Sequence, residues 1–252
     1  MSEHIFRIWR GDSSGGDFVD YKTDVDDGMV VLDVLHRIQA KQAGDMAVRW
    51  NCKAGKCGSC GMEINGIPKL ACMTRMNNYS QRDVITVQPL MTFPVIKDLV
   101  CDVSWNYEQN LKIAPFKPSP PDSDGRHRMM QEDVDRIQEF RKCIECYLCQ
   151  DVCHVLRDQG RMDRFVGPRF LIRAASLALH PLDVEDRIPA VRDELGSGLC
   201  NITRCCTDVC PENIDITDNA IIPLKERVTD RYYDPLAWIL RKVLGRTHSG
   251  VE

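Results

Sequence analysis

A chain of 252 residues is long enough for one large domain or two of ordinary size, each able to bury a core. Its 33 Lys and Arg against 37 Asp and Glu leave a formal charge of −4, which gives no global attraction to nucleic acid or anionic lipid. No run reaches the roughly 20 apolar residues that span a bilayer, so the chain is expected to be soluble or peripheral.

Residues 4–10 (HIFRIWR) and 17–25 (DFVDYKTDV) read as strands around the turn-forming GDSSGG, a hairpin. From Val30 to Gly44, Val31, Val34, Leu35 and Ile38 recur at helical spacing and Gly44 is the stop signal, so this helix packs one face on the sheet. AVRW leads into a cysteine loop, GMEI and IPKL flank an Asn65-Gly66 turn, and VITVQPL at 84–90 is a further strand. Four or five strands and one helix make a compact α+β unit over residues 1–106. Residues 107–130 contain APFKPSPPDSDGRHR, whose prolines suit a connection and not a helix or central strand. Residues 131–252 are expected to be mostly helical: EDVDRIQEF, GPRFLIRAASLALHP with Pro168 in a first turn, and TDNAIIPLKERVTDRYY opening on cap-type residues. The tail PLAWILRKVLGR reads as an amphipathic helix, docked on protein or lying on a membrane surface.

Thirteen cysteines are many for a chain that begins MSEHIFRIWRG, without the charged start and apolar core of a signal peptide. A reducing cytosol is expected, where closely spaced thiols serve metals more often than disulfides. Cys52, Cys57, Cys60 and Cys72 form C-x4-C-x2-C…C, the plant-type [2Fe–2S] spacing. Gly55, Gly58 and Gly61 allow the tight bends that present N–H groups to sulfur, and Lys53 and Lys56 add positive charge. A Cys₄ zinc site is the alternative, although zinc knuckles favour two well-separated C-x2–4-C pairs.

Cys143, Cys146, Cys149 and Cys153 form C-x2-C-x2-C-x3-C, a run that in two-cluster ferredoxins gives its fourth cysteine to the other cluster. The partner run is CNITRCCTDVCP, with Cys200, Cys206 and Cys210-Pro211 in register and Thr203 where the second cysteine belongs. Crossed assignment gives Cys143, Cys146, Cys149 and Cys210 to a [4Fe–4S] cluster. Cys153, Cys200 and Cys206 remain, three ligands suited to [3Fe–4S], a cluster expected to accept an electron more readily than its neighbour. The rival is that Cys205 completes a cubane; otherwise Cys205 and Cys101 are expected to be ordinary buried thiols. No GxGxxG after a strand, phosphate loop, Gly-x-Ser-x-Gly elbow or His-Glu-x-x-His is present, so the chain reads as a wire between other subunits.

The order CKAGKCGSCGMEINGIPKLAC, CIECYLCQDVCH, CNITRCCTDVCP resembles the iron–sulfur subunit of succinate dehydrogenase and fumarate reductase over essentially the whole chain. The resemblance implies a β-grasp ferredoxin-type domain and a helical bacterial-ferredoxin-like domain. It also implies a flavoprotein subunit carrying FAD, an integral membrane anchor, and electrons passing through the three clusters to a quinone. The chain would then sit peripherally at the cytoplasmic face of the membrane. Some members have Asp at the third position of the first motif; here it is Cys60. Where ubiquinone-reducing members typically carry Pro-Ser and a nearby Trp, this chain has His154-Val155-Leu156, and a familiar His is Asn201; Lys225 matches the family's basic residue only with a one-residue insertion. The resemblance thus puts His154, Asn201 and Lys225 near the quinone, with room for a different quinone such as menaquinone. At His154 and Lys225 the alternative is a simple offset of cluster charge. The leading reading is succinate:quinone oxidoreductase; quinol:fumarate reductase, a subunit serving another flavoprotein or a heterodisulfide, and a zinc-binding interaction module are the alternatives. No nucleic-acid partner is expected.

Overall fold

The computed structural model describes residues 2–235. Strands β1 (Ser2–Asp12) and β2 (Gly15–Val25) pair antiparallel from Ser2 opposite Val25 to Asp12 opposite Gly15. The strands run closer to the turn than their alternation suggested. Asp12 causes this: its Oδ1 accepts the Ser14 N–H (2.8 Å) and hydroxyl (2.5 Å), closing a tight connection. A helix, α1 (Val31–Lys41), buries Val31, Leu32, Val34, Leu35 and Ile38, each burial contributing about 1.5–3 kcal/mol. It ends ahead of Gly44, where the Gln42 and Ala43 N–H groups both return to the Ile38 carbonyl.

Strands β3 (Gly61–Ile64) and β4 (Ile67–Leu70) flank the expected turn, with Asn65 and Gly66 at φ 51° and 75° as a two-residue hairpin requires. Strand β5 (Val84–Gln88) lies parallel to β1 and antiparallel to β3. Two further strands, β6 (Val95–Lys97) and β7 (Val100–Cys101), are too short to show alternation in sequence. They complete a seven-stranded sheet ordered β4-β3-β5-β1-β6-β7, with β2 beside β1. A hairpin, a crossing helix and a parallel β1–β5 pair make this the β-grasp arrangement.

Helix α2 (Ser104–Leu111) leads into the proline-rich stretch, whose first half is tied to the helical part. The Ser119 N–H bonds the Leu182 carbonyl (2.8 Å), Val184 N–H bonds Lys117 (3.0 Å), and Arg187 donates to the carbonyls of Ala114 (2.6 Å) and Pro115 (2.9 Å). The remainder is helical: α3 (Gln131–Gln138), α4 (Leu148–Asp151), α5 (His154–Arg157), α6 (Pro168–Ala178), α7 (Ile188–Asp193), α8 (Cys205–Asp208) and α9 (Ile222–Tyr232). Pro168 does open α6. The TDNAII segment is no ordinary helix start, however. Ile216–Ile221 forms a π-helical turn ahead of α9, where Pro223 has no N–H to donate to the α-helical ladder. The amphipathic tail from residue 236 onward lies outside the described residues.

The sheet and the helices meet through polar groups that none of the motifs announced. Glu63 on β3, fully buried, pairs with Arg157 at the end of α5 (2.7 Å) and accepts from Gln88 (2.6 Å). Thr92 bonds Asp151 twice, N–H to Oδ1 and hydroxyl to carbonyl, each at 3.0 Å. Burial, with Glu63 nearby, pushes the Asp151 carboxyl up.

Candidate metal centres

Cys52, Cys57 and Cys60 lie on the irregular segment entering β3, and Cys72 follows β4, so one hairpin holds both ends of the motif. Lys53, Gly55 and Gly58, at φ 57°, 67° and 70°, curl the loop and turn its N–H groups inward. Ala54 and Lys56 N–H groups approach Cys52 Sγ at 3.3 Å; those of Cys52 and Cys72 approach Cys57 Sγ and Cys60 Sγ at 3.5 Å. A thiolate cluster needs such donors around sulfur, and this donor set fits it. Burial works against ionisation of Cys57, but the Ser59 hydroxyl and the N–H groups of Cys52 and Ser59 outweigh it and lower the pKa. Cys60 is pushed up by burial. The Cys52 edge is open to solvent beside exposed Trp50 and Met73. The lysines also make contacts of their own: Lys53 stacks on Trp50 (4.7 Å to the ring centre) and Lys56 pairs with Glu212 across the two parts of the molecule (3.4 Å).

Gly58 brings this loop against the second run. A Cβ added there would lie 2.6 Å from the Cys146 Cα, so the two cysteine loops touch backbone to backbone.

The second and third runs have the same backbone, residue for residue, 57 positions apart. Glu145 and Ile202 are left-handed at φ 56° and 60°, Tyr147 and Arg204 at 62° and 67°. Helices α4 and α8 begin one residue later, at Leu148 and Cys205. Thr203 therefore occupies the place of Cys146, whereas Cys205 occupies the place of Leu148 and is only half-buried, unlike the buried thiol expected. Its Sγ lies 3.4 Å from the Thr203 hydroxyl. Cys101 is buried, and burial pushes its thiol up to about 12.

The runs cross. One cavity is lined by Cys143, Cys146, Cys149 and Cys210, together with Arg169 and Pro211. Cys153 and Cys206 lie within electrostatic reach of Cys200, and both also of Cys205. Burial pushes the Cys146 and Cys206 thiols up to about 12 and Cys153 to about 11, and Cys149 well above its usual range. Thiols gathered so raise one another further, and at the first set Arg169 offsets this only in part; iron supplies the remaining counter-charge, so the residues present fit clusters.

Of the three quinone-side candidates, the structure joins two: His154 Nε2 and Asn201 Oδ1 are 3.0 Å apart at the surface. Lys225 lies beside the same stretch, its ammonium donating to the carbonyls of Ser197 (3.1 Å) and Cys200 (2.8 Å), where it braces the third run.

Sequence reasoning missed two residues beside the thiols. Arg169, on α6, reaches the cavity of the first set; an arginine on an otherwise apolar helix face was its only signal. Thr217 reaches Cys206 (3.5 Å) from the π-helical turn, which no spacing rule reveals. Its oxygen accepts from the Thr207 hydroxyl (3.2 Å), whose own oxygen accepts the Thr217 N–H (3.1 Å). The Thr217 proton is thereby left for the Cys206 sulfur.

Two family models match the chain, one described as a 2Fe-2S iron-sulfur cluster binding domain over residues 5–108 and one as a 4Fe-4S dicluster domain over residues 139–214. Among curated proteins, the fumarate reductase iron-sulfur subunit of Mycobacterium tuberculosis is 35% identical over 212 residues, covering 79% of this chain and 81% of that one. The succinate dehydrogenase iron-sulfur subunit of Paracoccus denitrificans is 30% identical over 233 residues, covering 90% and 88%. A solved structure, the Mycobacterium smegmatis Sdh1 complex in the apo form, contains a chain 59% identical with a TM-score of 0.90, covering 93% of this chain and 99% of that one. The zinc alternative gives way to these iron–sulfur matches.

Proposed function

Since this chain belongs to the iron–sulfur subunits of succinate dehydrogenase and fumarate reductase, electron-transfer subunits of those complexes, we propose which residues hold its clusters and which partners it joins. Cys52, Cys57, Cys60 and Cys72 hold [2Fe–2S]; Cys143, Cys146, Cys149 and Cys210 hold [4Fe–4S]; Cys153, Cys200 and Cys206 hold [3Fe–4S]. When bound, the clusters carry single electrons between the FAD of a flavoprotein subunit and a quinone at the boundary with a membrane anchor. The chain's own residues cage, align and insulate. Backbone N–H groups at the first loop offset thiolate charge, and the Gly58–Cys146 contact sets the approach of the first two sites. The Glu63–Arg157 and Thr92–Asp151 pairs keep that approach rigid.

The open edge at Cys52, Trp50 and Met73 suits the flavoprotein. The exposed stretch Asn201–Arg204, beside His154, suits the anchor and its quinone. Among the described residues no helix is long and apolar enough to cross a membrane, so attachment at the cytoplasmic face through the anchor is part of the proposal. The likeness to the M. tuberculosis fumarate reductase subunit favours a second reading, quinol:fumarate reductase, which uses the same residues with electrons running the other way.

The observation that carries the ligand assignment is Thr203 in the backbone position of Cys146. Low-temperature electron paramagnetic resonance of the anaerobically purified, gently oxidised complex tests it. A near-stoichiometric isotropic signal is expected from oxidised [3Fe–4S]. Silence at full iron content would mean a complete cubane through Cys205.

A further inference from the structure

We propose that Arg169 raises the reduction potential of the [4Fe–4S] site by holding a desolvated positive charge and an unshared N–H against it. The inference rests on the reading that Cys143, Cys146, Cys149 and Cys210 hold that cluster.

Arg169 is the second residue of α6, and its place is built. The Gln150 side chain accepts the Arg169 backbone N–H (3.2 Å) and donates to the Val166 carbonyl (2.9 Å). Gly167 alone fits between, since a Cβ there would fall 2.1 Å from Gln150 Oε1. The Arg169 side chain is 8% exposed and lines the cavity of the four thiols. One terminal nitrogen pairs with Glu145, inside the Cys143–Cys146 loop. Nε is buried without any acceptor. A buried guanidinium N–H left unpaired is costly, so its partner is to be sought in what fills the cavity: a thiolate or sulfide sulfur.

Arginine stays ionised even when buried. Glu145 offsets its charge only in part, because the carboxylate is 55% exposed and screened by water. A net positive charge therefore acts on the cavity from a region of low dielectric, and it favours the more negative, reduced cluster. Among the described residues the other crossed site has no such buried, unshared donor: Arg204, in the third run, is 54% exposed and turned to Asp218 (2.7 Å), and the half-buried Lys225 ammonium is taken up by the Ser197 and Cys200 carbonyls. Arg169 thus acts selectively on one site and narrows the potential gap between neighbours in the wire.

The test is a redox titration of the assembled, anaerobically purified complex, following the paramagnetic signal of each cluster. Arg169→Gln should lower the [4Fe–4S] midpoint enough to change its oxidised-to-reduced ratio about tenfold, ~59 mV for a one-electron couple. The other two midpoints should hold. Glu145→Gln should move the same midpoint upward. A full [4Fe–4S] content with an unmoved midpoint in Arg169→Gln overturns the proposal. If Arg169→Gln does not assemble, Glu145→Gln decides, and no upward shift overturns it. Absence of any reduced [4Fe–4S] signal in the unsubstituted complex would overturn the ligand assignment instead, which separates the two failures.

Discussion

The run from Cys143 to Cys153 and the run from Cys200 to Cys210 follow one backbone path in two different settings. In the first, Tyr147 is buried against Phe93, the loop is pressed on Gly58, and a buried arginine stands beside the thiols. In the second, Asn201, Ile202, Thr203 and Arg204 are all exposed, and the buried neighbour is a neutral hydroxyl, Thr217. The backbone builds the same cage twice. Side chains then decide how many thiolates enter it, what charge surrounds it and which side faces a partner.

The largest test of that contrast is Thr203→Cys, which restores the missing register position. The isotropic signal of the oxidised protein should disappear and the iron content should rise, read by paramagnetic resonance with iron analysis. Persistence of the signal would show that the equivalence with Cys146 does not extend to iron binding.

Next in size, Gly58→Ala strikes its own Cys52–Cys60 loop and the Cys143–Cys153 run pressed on it, and leaves the Cys200–Cys210 run untouched. A left-handed φ of 70° with a side chain costs about 1–3 kcal/mol before its overlap with Cys146 is counted. A lowered unfolding midpoint, with the Cys200–Cys210 site still loaded, is the expected result. Equal loss at both sites would mean that the two cages assemble as one unit.

A smaller effect is expected at the Cys200–Cys210 run. Thr217→Val removes the hydroxyl facing Cys206 and should lower the [3Fe–4S] potential, with Thr217→Ser restoring it. Hydrogen bonds to charged groups contribute about 1.5–3 kcal/mol, an upper bound here because only the difference between oxidation states registers. A shift in the [4Fe–4S] midpoint instead would contradict the crossed arrangement.

The smallest effect lies outside both cages and serves as a control. His180 accepts the Leu182 N–H at Nδ1 (3.2 Å), packs edge-on to Phe116 of the proline-rich stretch, and is neighboured by Asp183, Arg141 and Asp133. Burial lowers its pKa, so the unfolded chain binds its proton first. Its contribution is complete above the ordinary value of about 6.5 and is lost as pH falls toward the depressed folded value. Hydrogen exchange of the 114–128 backbone should quicken in that window, and His180→Gln should flatten the response while leaving the cluster signals alone.

Much of this molecule was legible because it is local. Alternation in HIFRIWR, the 3–4 spacing of Val31 to Ile38, the Asn65-Gly66 turn and Pro168 at a helix start each act within a few residues, and each element formed. Cysteine spacing likewise encodes the bends of its own loop. Strands β6 and β7 were invisible because three and two residues carry no period, and the π-helical turn because it answers to Pro223 and to packing together.

From the sequence alone come the fold class, the three cysteine runs and the anomaly at Thr203, since all depend on short-range stereochemistry. Tertiary structure alone decided that Gly58 meets Cys146, that Lys225 braces Cys200 instead of standing free, and that Arg169 and Thr217 reach different sets of thiols. Those contacts join residues far apart in the chain, and their effects depend on burial, which removes water from a charge or a hydroxyl and makes its field felt by the sulfur beside it.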